Sequence, residues 1–152
     1  MMADPVVKTI VVPCSPATAF AIFTRDMTQW WPMATNTVSA MSGTAARSLT
    51  LEPKVGGALV EVAGDGTQHH WGNVTDWRPG SRLALSWHAG GSAAAATQVE
   101  VAFIDSEAGT KVTLTHSGWQ VLGEQADGAR DGYNSGWVKV FEEGYAGACR
   151  SG

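Results

Sequence analysis

The stretch Tyr133-Asn134-Ser135-Gly136-Trp137-Val138-Lys139-Val140-Phe141-Glu142-Glu143-Gly144 is where the chain changes period. Tyr133, Trp137, Val140, Phe141 and Gly144 recur at three- and four-residue spacing, which gathers them on one face of an amphipathic helix with an aromatic stripe. Firm helix is predicted from near Asp131, because the glycines between Gly118 and Gly132 each weaken a helix by about 1 kcal/mol. Upstream of it the period is two. Residues 110–116 place Val112, Leu114 and His116 on one face of a strand. Residues 97–103 turn Val99, Val101 and Phe103 inward and Gln98 and Glu100 outward, and residues 81–88 group Leu83, Leu85 and Trp87. A sheet made of such strands must bury its apolar face, and the helix that follows offers the matching surface.

Turn residues separate these strands from three earlier ones. Glu107-Ala108-Gly109, the Gly/Ser/Ala loop at 90–96, Arg78-Pro79-Gly80 and Gly64-Asp65-Gly66 all read as hairpin connections. Residues 68–77, 58–62 (opened by Gly56-Gly57) and 48–53 (ended by Pro53) complete a run of six strands. A seventh, residues 6–12, is β-branched and stops at Pro13. Ser15 then caps a first helix with Pro16 at its first position, and Phe20 and Phe23 share one face. Residues 26–31 make a second short helix or turn, stopped by Pro32, and residues 34–47 are small and polar, an irregular connection suited to mobility.

Composition narrows the function classes. The 152 residues fit one domain, and 44% hydrophobic with 16% charged residues describes a globular chain. A net charge of −4 lacks the basic footprint of a nucleic-acid binder. No apolar run approaches the roughly 20 residues of a membrane span, and the N-terminus lacks a secretory pattern, so a cytoplasmic protein is expected. Cys14 and Cys149 lie far apart with no CxxC spacing. Two reduced structural thiols are the reading, with a disulfide tying the chain ends as its alternative. No Gly-x-Ser-x-Gly, P-loop or dinucleotide fingerprint is present. Seven tryptophans are many for a compact dry core of this size, which points to a curved sheet on a helix with an aromatic-lined space between them.

Several phrases in order carry a resemblance. Gln29-Trp30-Trp31 follows the first helix, and Glu52-Pro53 precedes Gly56-Gly57. Trp71-Gly72-Asn73-Val74 leads to Trp77-Arg78-Pro79 and Arg82-Leu83, and Trp87 ends that strand. Residues 109–116 precede Gly118-Trp119, and Gly136-Trp137 opens the strong part of the last helix. From Val6 to Gly147 the chain closely resembles the stand-alone bacterial domains similar to the activator of the heat-shock-protein-90 ATPase, within the START-like, SRPBCC or Bet v 1-like superfamily. The resemblance implies an α+β helix-grip fold: a curved antiparallel sheet around a long C-terminal helix, with two short N-terminal helices and a hydrophobic cavity between sheet and helix. Members of the wider superfamily bind lipids, steroids and polyketides, or catalyse cyclisation and hydrolysis there. Fold alone does not fix the function.

The candidate cavity wall is Trp87, Phe103, Trp137 and Phe141, with Tyr133 offering a hydroxyl at the mouth; the alternative is that these rings fill a solid core. His116 continues the inward face of its strand. Catalytic acid or base, ligand contact and a structural hydrogen bond are all compatible with that place. Glu61 faces solvent, or, if Leu59 faces in, becomes a buried carboxylate that could anchor a ligand or act as a base. Adjacent His69 and His70 point to opposite faces, His88 opposes Trp87 in parity, and no pair has helical metal-ligand spacing, so no metal site and no cofactor are expected. Parity leaves open which face of the 68–77 strand looks inward. The resemblance and Val74 favour Gly72 and Val74, with Trp71 at an edge or on the other side, unless a bulge reverses it. The expected function is binding of a hydrophobic or aromatic small molecule. A cavity-based cyclase or hydrolase and a chaperone-interacting module are the alternatives.

Overall fold

The computed structural model describes residues 4–151. Its strands are β1 (Val6–Val12), β2 (Ala46–Leu51), β3 (Ala58–Ala63), β4 (Gln68–Arg78), β5 (Arg82–Trp87), β6 (Thr97–Ser106) and β7 (Gly109–Ser117). They form one antiparallel sheet in the order β1-β7-β6-β5-β4-β3-β2, curled into a half-barrel. Every neighbouring pair from β2 to β7 is consecutive in sequence. Only β1 is placed by a distant partner, with Val6 opposite His116 and Val12 opposite Thr110. The period-two pattern sets the inward face: Thr110, Val112, Leu114 and His116 of β7 are all buried, as are Thr97, Val99, Val101 and Phe103 of β6.

The register of β4 departs from simple alternation. Leu59 pairs with Gly72 but Val60 pairs with His70, so Trp71 is an extra residue on β4. This bulge turns Trp71 inward together with Val74, and Trp71 is 1% exposed. The expectation that Trp71 sits at an edge or on the opposite face is therefore corrected. Gly72 is what permits the bulge to close. A Cβ there would lie 1.8 Å from the Ser86 carbonyl oxygen of the neighbouring strand.

Helices cover the concave face. In α1 (Pro16–Arg25) the Ser15 hydroxyl accepts from the Thr18 amide at 3.2 Å, and Ala19, Phe20, Ile22 and Phe23 are buried. The second helix, α2 (Met27–Trp30), follows at once. The connection at 34–47 is not wholly irregular. It contains α3 (Val38–Met41), whose N-cap Thr37 accepts from the Ala40 amide at 3.1 Å. The C-terminal rod begins at Ala126 rather than near Asp131: α4 (Ala126–Trp137) runs into a widened π-helical stretch, Val138–Tyr145, and then α5 (Ala146–Ser151). Packing of its apolar face on the sheet overrides the weak propensity of its glycines. Among the described residues no helix is long and apolar enough to cross a membrane. Cys14 and Cys149 are free thiols, and burial pushes the Cys149 thiol well above its ordinary value.

The aromatic residues divide into two groups. Beneath α1 they form a solid core: Phe103 meets Phe20 and Phe23 edge-on at 5.3 and 6.3 Å, and Phe141 stacks on Tyr145 at 5.7 Å. Tyr145 in turn meets Phe23 and Trp30 and donates to the Ala19 carbonyl at 2.7 Å. The second group lies toward the opposite end of the sheet and leaves a space.

Candidate functional site

That space is a cavity of about 520 Å³ between the sheet, α3 and α4. Its floor is Trp71 of β4 and Trp87 at the end of β5, whose rings meet edge-on at 5.4 Å. Trp31, which follows α2, and Trp137 of α4 close the sides. Trp31 lies 5.3 Å from Trp71 and 5.9 Å from Trp137, and Trp87 lies 5.5 Å from Trp137. The helix contributes a face of small residues, Ala129, Gly132 and Gly136, spaced to look at the cavity beside Tyr133 and Trp137. Glycines that are poor for a helix here keep the space open. A Cβ on Gly136 would meet only the side-chain Nδ2 of Asn36, at 3.7 Å.

Each indole of this wall is held by a specific acceptor. Trp31 donates to the Asn36 carbonyl at 2.7 Å, Trp71 to Glu61 Oε1 at 3.0 Å, Trp87 to the Tyr133 hydroxyl at 3.0 Å and Trp137 to His116 Nδ1 at 3.1 Å. The rings are thus fixed in orientation, and the wall exists without a ligand to shape it. The Tyr133 oxygen accepts from Trp87, which leaves its own proton free to be donated. Burial raises its pKa, against the opposing effect of the Trp87 hydrogen bond, so it stays protonated at neutral pH.

His116 lies behind the wall, not on it. It is fully buried and is not a lining residue. With Nδ1 accepting from Trp137, the proton belongs on Nε2, which lies 2.7 Å from Thr97 Oγ1; that hydroxyl donates to the Trp87 carbonyl at 3.1 Å. The relay occupies both ring nitrogens and ties β7 to β6, β5 and α4. Burial pushes the imidazole down to about 3, so it is neutral at physiological pH. Phe103 and Phe141 belong to the solid core and do not line the cavity. Of the six residues expected at a site, the structure brings Trp87, Tyr133 and Trp137 together on the cavity. The period-two pattern gives direction but not depth, so it could not separate wall from core.

Glu61 is the buried carboxylate that the inward orientation of Leu59 implies; both are 0% exposed. Its Oε1 accepts from the Val38 amide (2.8 Å) and Trp71, and its Oε2 from the Ser39 amide (2.8 Å) and the Ser39 hydroxyl. Burial raises its pKa, but the hydrogen bonds from Ser39, Val38 and Trp71 more than reverse this, and the carboxylate titrates below its ordinary value. Its charge holds the first turn of α3 and one wall indole together. It supports the cavity from behind, as His116 does. Trp31 and Asn36, which the sequence does not mark as site residues, reach the cavity because Pro32 stops α2 and turns the chain across its mouth. The Trp30-Trp31 doublet was the available sign: one ring enters the solid core and the other the cavity. On the outer face the His70 and His88 rings meet at 4.9 Å, and among the described residues no group of three or more His, Cys, Asp or Glu side chains could hold a metal ion.

Comparison with known proteins fits this architecture. The protein MLL2253 from Mesorhizobium loti superposes with a TM-score of 0.70 at 18% identity, over 95% of this chain and 96% of that one. An anthrahydroquino-gamma-pyrone synthase, Txn09, solved as a complex, superposes with a TM-score of 0.67 at 27% identity, over 97% of both chains. DynU16, from the dynemicin biosynthetic locus, matches 98% of this chain with 46% of its own length, at 18% identity and a TM-score of 0.63. Among curated proteins none matches this chain. The family model for "Activator of Hsp90 ATPase homolog 1-like protein" matches residues 13–143, and the chain belongs to that family.

Proposed function

We propose that the protein binds a planar, polycyclic aromatic small molecule in the cavity walled by Trp31, Trp71, Trp87 and Trp137. The observation that carries this is the hydrogen-bonded fixing of all four indoles around an open space of about 520 Å³. A rigid wall of indoles at varied inclinations offers both stacking and edge contacts to a flat guest, and loses little entropy on binding. Burial of the guest's apolar area supplies affinity at about 25 cal/mol per Å². The Tyr133 hydroxyl and the Asn36 side chain give it orientation. The likeness to a synthase of an oxygenated polycycle, at 27% identity over nearly the whole of both chains, supports the same ligand class. It also favours a second reading, turnover of such a molecule in the cavity. In that reading Tyr133 is the acid at the wall, and His116 positions Trp137.

The test is titration with 1,8-dihydroxyanthraquinone, followed by quenching of tryptophan fluorescence. Saturable quenching is expected in the native protein. Gly136→Leu fills the cavity from the helix side and improves helix propensity. It should lower affinity at least tenfold without lowering the melting temperature. Lack of saturable quenching across tricyclic and tetracyclic aromatics, or unchanged affinity in Gly136→Leu, refutes the proposal.

A further inference from the structure

Five of the seven indoles donate to an identified acceptor: the four of the cavity wall, and Trp30, which reaches the Ile22 carbonyl at 2.9 Å. Trp119 does not. It is 1% exposed, and among the described residues its Nε1 and His88 Nδ1 are the buried side-chain polar atoms without a hydrogen-bond partner. Both residues line the same place. A second chamber of about 300 Å³ lies between the loop that joins β5 to β6 and the turns Trp119–Gln125. Trp87, Ala89, Ala129 and Tyr133 line both chambers, so the two adjoin along these residues.

The ring of Trp119 is fixed by its neighbours, with the His116 imidazole at 4.1 Å and the Tyr133 ring at 5.7 Å. Tyr133 and Trp137 continue this series of rings, each tilted by 31–36° to the next, at 6.4 Å into the main cavity. A buried N–H left without a partner is unfavourable, and native proteins rarely retain one without a use. An indole N–H can only donate, so its complement is an oxygen that accepts. The loop over this chamber, Gly90-Gly91-Ser92, presents little side-chain bulk to compete for the donor.

The geometry points to the second chamber as the seat of an accepting oxygen on the ligand, a ketone, quinone or phenolate oxygen, bound by Trp119 Nε1–H while the aromatic body occupies the main cavity. This rests on the aromatic-ligand reading above and adds to it the place and chemistry of the polar end. Selectivity for oxygenated over plain polycycles then resides at Trp119, apart from the four indoles that supply stacking.

The experiment uses a matched pair of probes, 2-acetylanthracene and its carbon isostere 2-isopropenylanthracene, with the native protein and Trp119→Phe. The native protein should bind the ketone on the order of tenfold more tightly, the equivalent of one buried hydrogen bond. Trp119→Phe should bring the two probes within about twofold of each other by weakening only the ketone. In ¹⁵N-labelled native protein, the indole N–H resonance of Trp119 should move downfield with the ketone and not with the isostere. This readout stands even where Trp119→Phe folds poorly. Equal affinity for the two probes, or an indole resonance that responds identically to both as for a donor already held by water, overturns the inference and leaves the cavity reading intact. Failure of both probes to bind removes the cavity reading, and this inference with it.

Discussion

Replacing Glu61 by glutamine tests how the cavity wall is held. The carboxylate accepts four hydrogen bonds, two on each oxygen, from the Val38 and Ser39 amides, the Ser39 hydroxyl and the Trp71 indole. A glutamine has one accepting oxygen and one donating nitrogen. If the nitrogen takes the Oε1 place, Val38 N–H and Trp71 Nε1–H both face a donor. If it takes the Oε2 place, the Ser39 hydroxyl can turn to accept, but the Ser39 amide cannot. The second arrangement is the less costly and still orphans one buried donor, at about 1–3 kcal/mol. The remaining bonds change from charge-assisted to neutral, a loss of about 1 kcal/mol more. The sum is about 2–4 kcal/mol, or roughly 5–15 °C in melting temperature for a chain of this length. Urea unfolding at pH 7, followed by tryptophan emission and far-ultraviolet circular dichroism, measures it. The folded pKa of Glu61 lies below its unfolded value, so its contribution is complete above the unfolded pKa and is lost as pH falls through the folded one. The difference between native protein and Glu61→Gln must therefore shrink in acid. In a double-mutant cycle with Ser39→Ala, the coupling should exceed 0.5 kcal/mol. A Glu61→Gln protein within 0.5 kcal/mol of the native one, or a deficit that does not change with pH, would refute the reasoning.

Three further outcomes follow from the same geometry. The folded pKa of His116 is about 3 against 6.5 unfolded, so the folded state binds fewer protons between those values, and stability should decrease as pH is lowered through that window, by at most about 1.4 kcal/mol per unit. Its imidazole should hold the Nε2–H tautomer in ¹⁵N spectra from pH 5 to 8, and a titration near 6.5 would contradict the relay. Gly72→Ala sets a Cβ against the Ser86 backbone, which cannot withdraw without breaking the β4–β5 pairing. A loss of about 3 kcal/mol or more, or failure to express soluble protein, is expected. Tyr133→Phe leaves the Trp87 indole without its acceptor. It should cost about 1–2 kcal/mol in urea unfolding.

The fold was legible because its local rules agree with one another. Hairpin turns at Gly64-Asp65-Gly66 and Arg78-Pro79-Gly80, alternation in residues 97–116 and the period change near Tyr133 each point to a sheet folded on a C-terminal helix. The site was legible only in part. Alternation tells that Phe103 and Trp87 point inward, but not that Phe103 meets α1 while Trp87 meets open space. The bulge at Trp71 breaks the parity on which orientation is read, and bulges leave little trace in a single sequence beyond a glycine such as Gly72. Glu61 was undecided because a carboxylate at an inward position reads as an error of phase until its donors are known. Those donors come from Val38 and Ser39, in a segment that looked structureless. His116 was placed on the right strand face, but its depth behind Trp137 is a property of three elements together.

The pairing of β1 with β7 has a consequence for biogenesis. β1 has one neighbour in the sheet, and that neighbour is the last strand to be made. At translation speeds of about 5–20 residues per second, the first strand waits on the order of 5–20 s for its partner. During that interval it offers unpaired amides and the apolar side chains of Val6, Val7, Ile10, Val11 and Val12. A nascent chain stalled before residue 109 therefore carries an unpaired, adhesive ribbon in β1. Premature termination upstream of β7 should yield aggregates, not a smaller soluble protein.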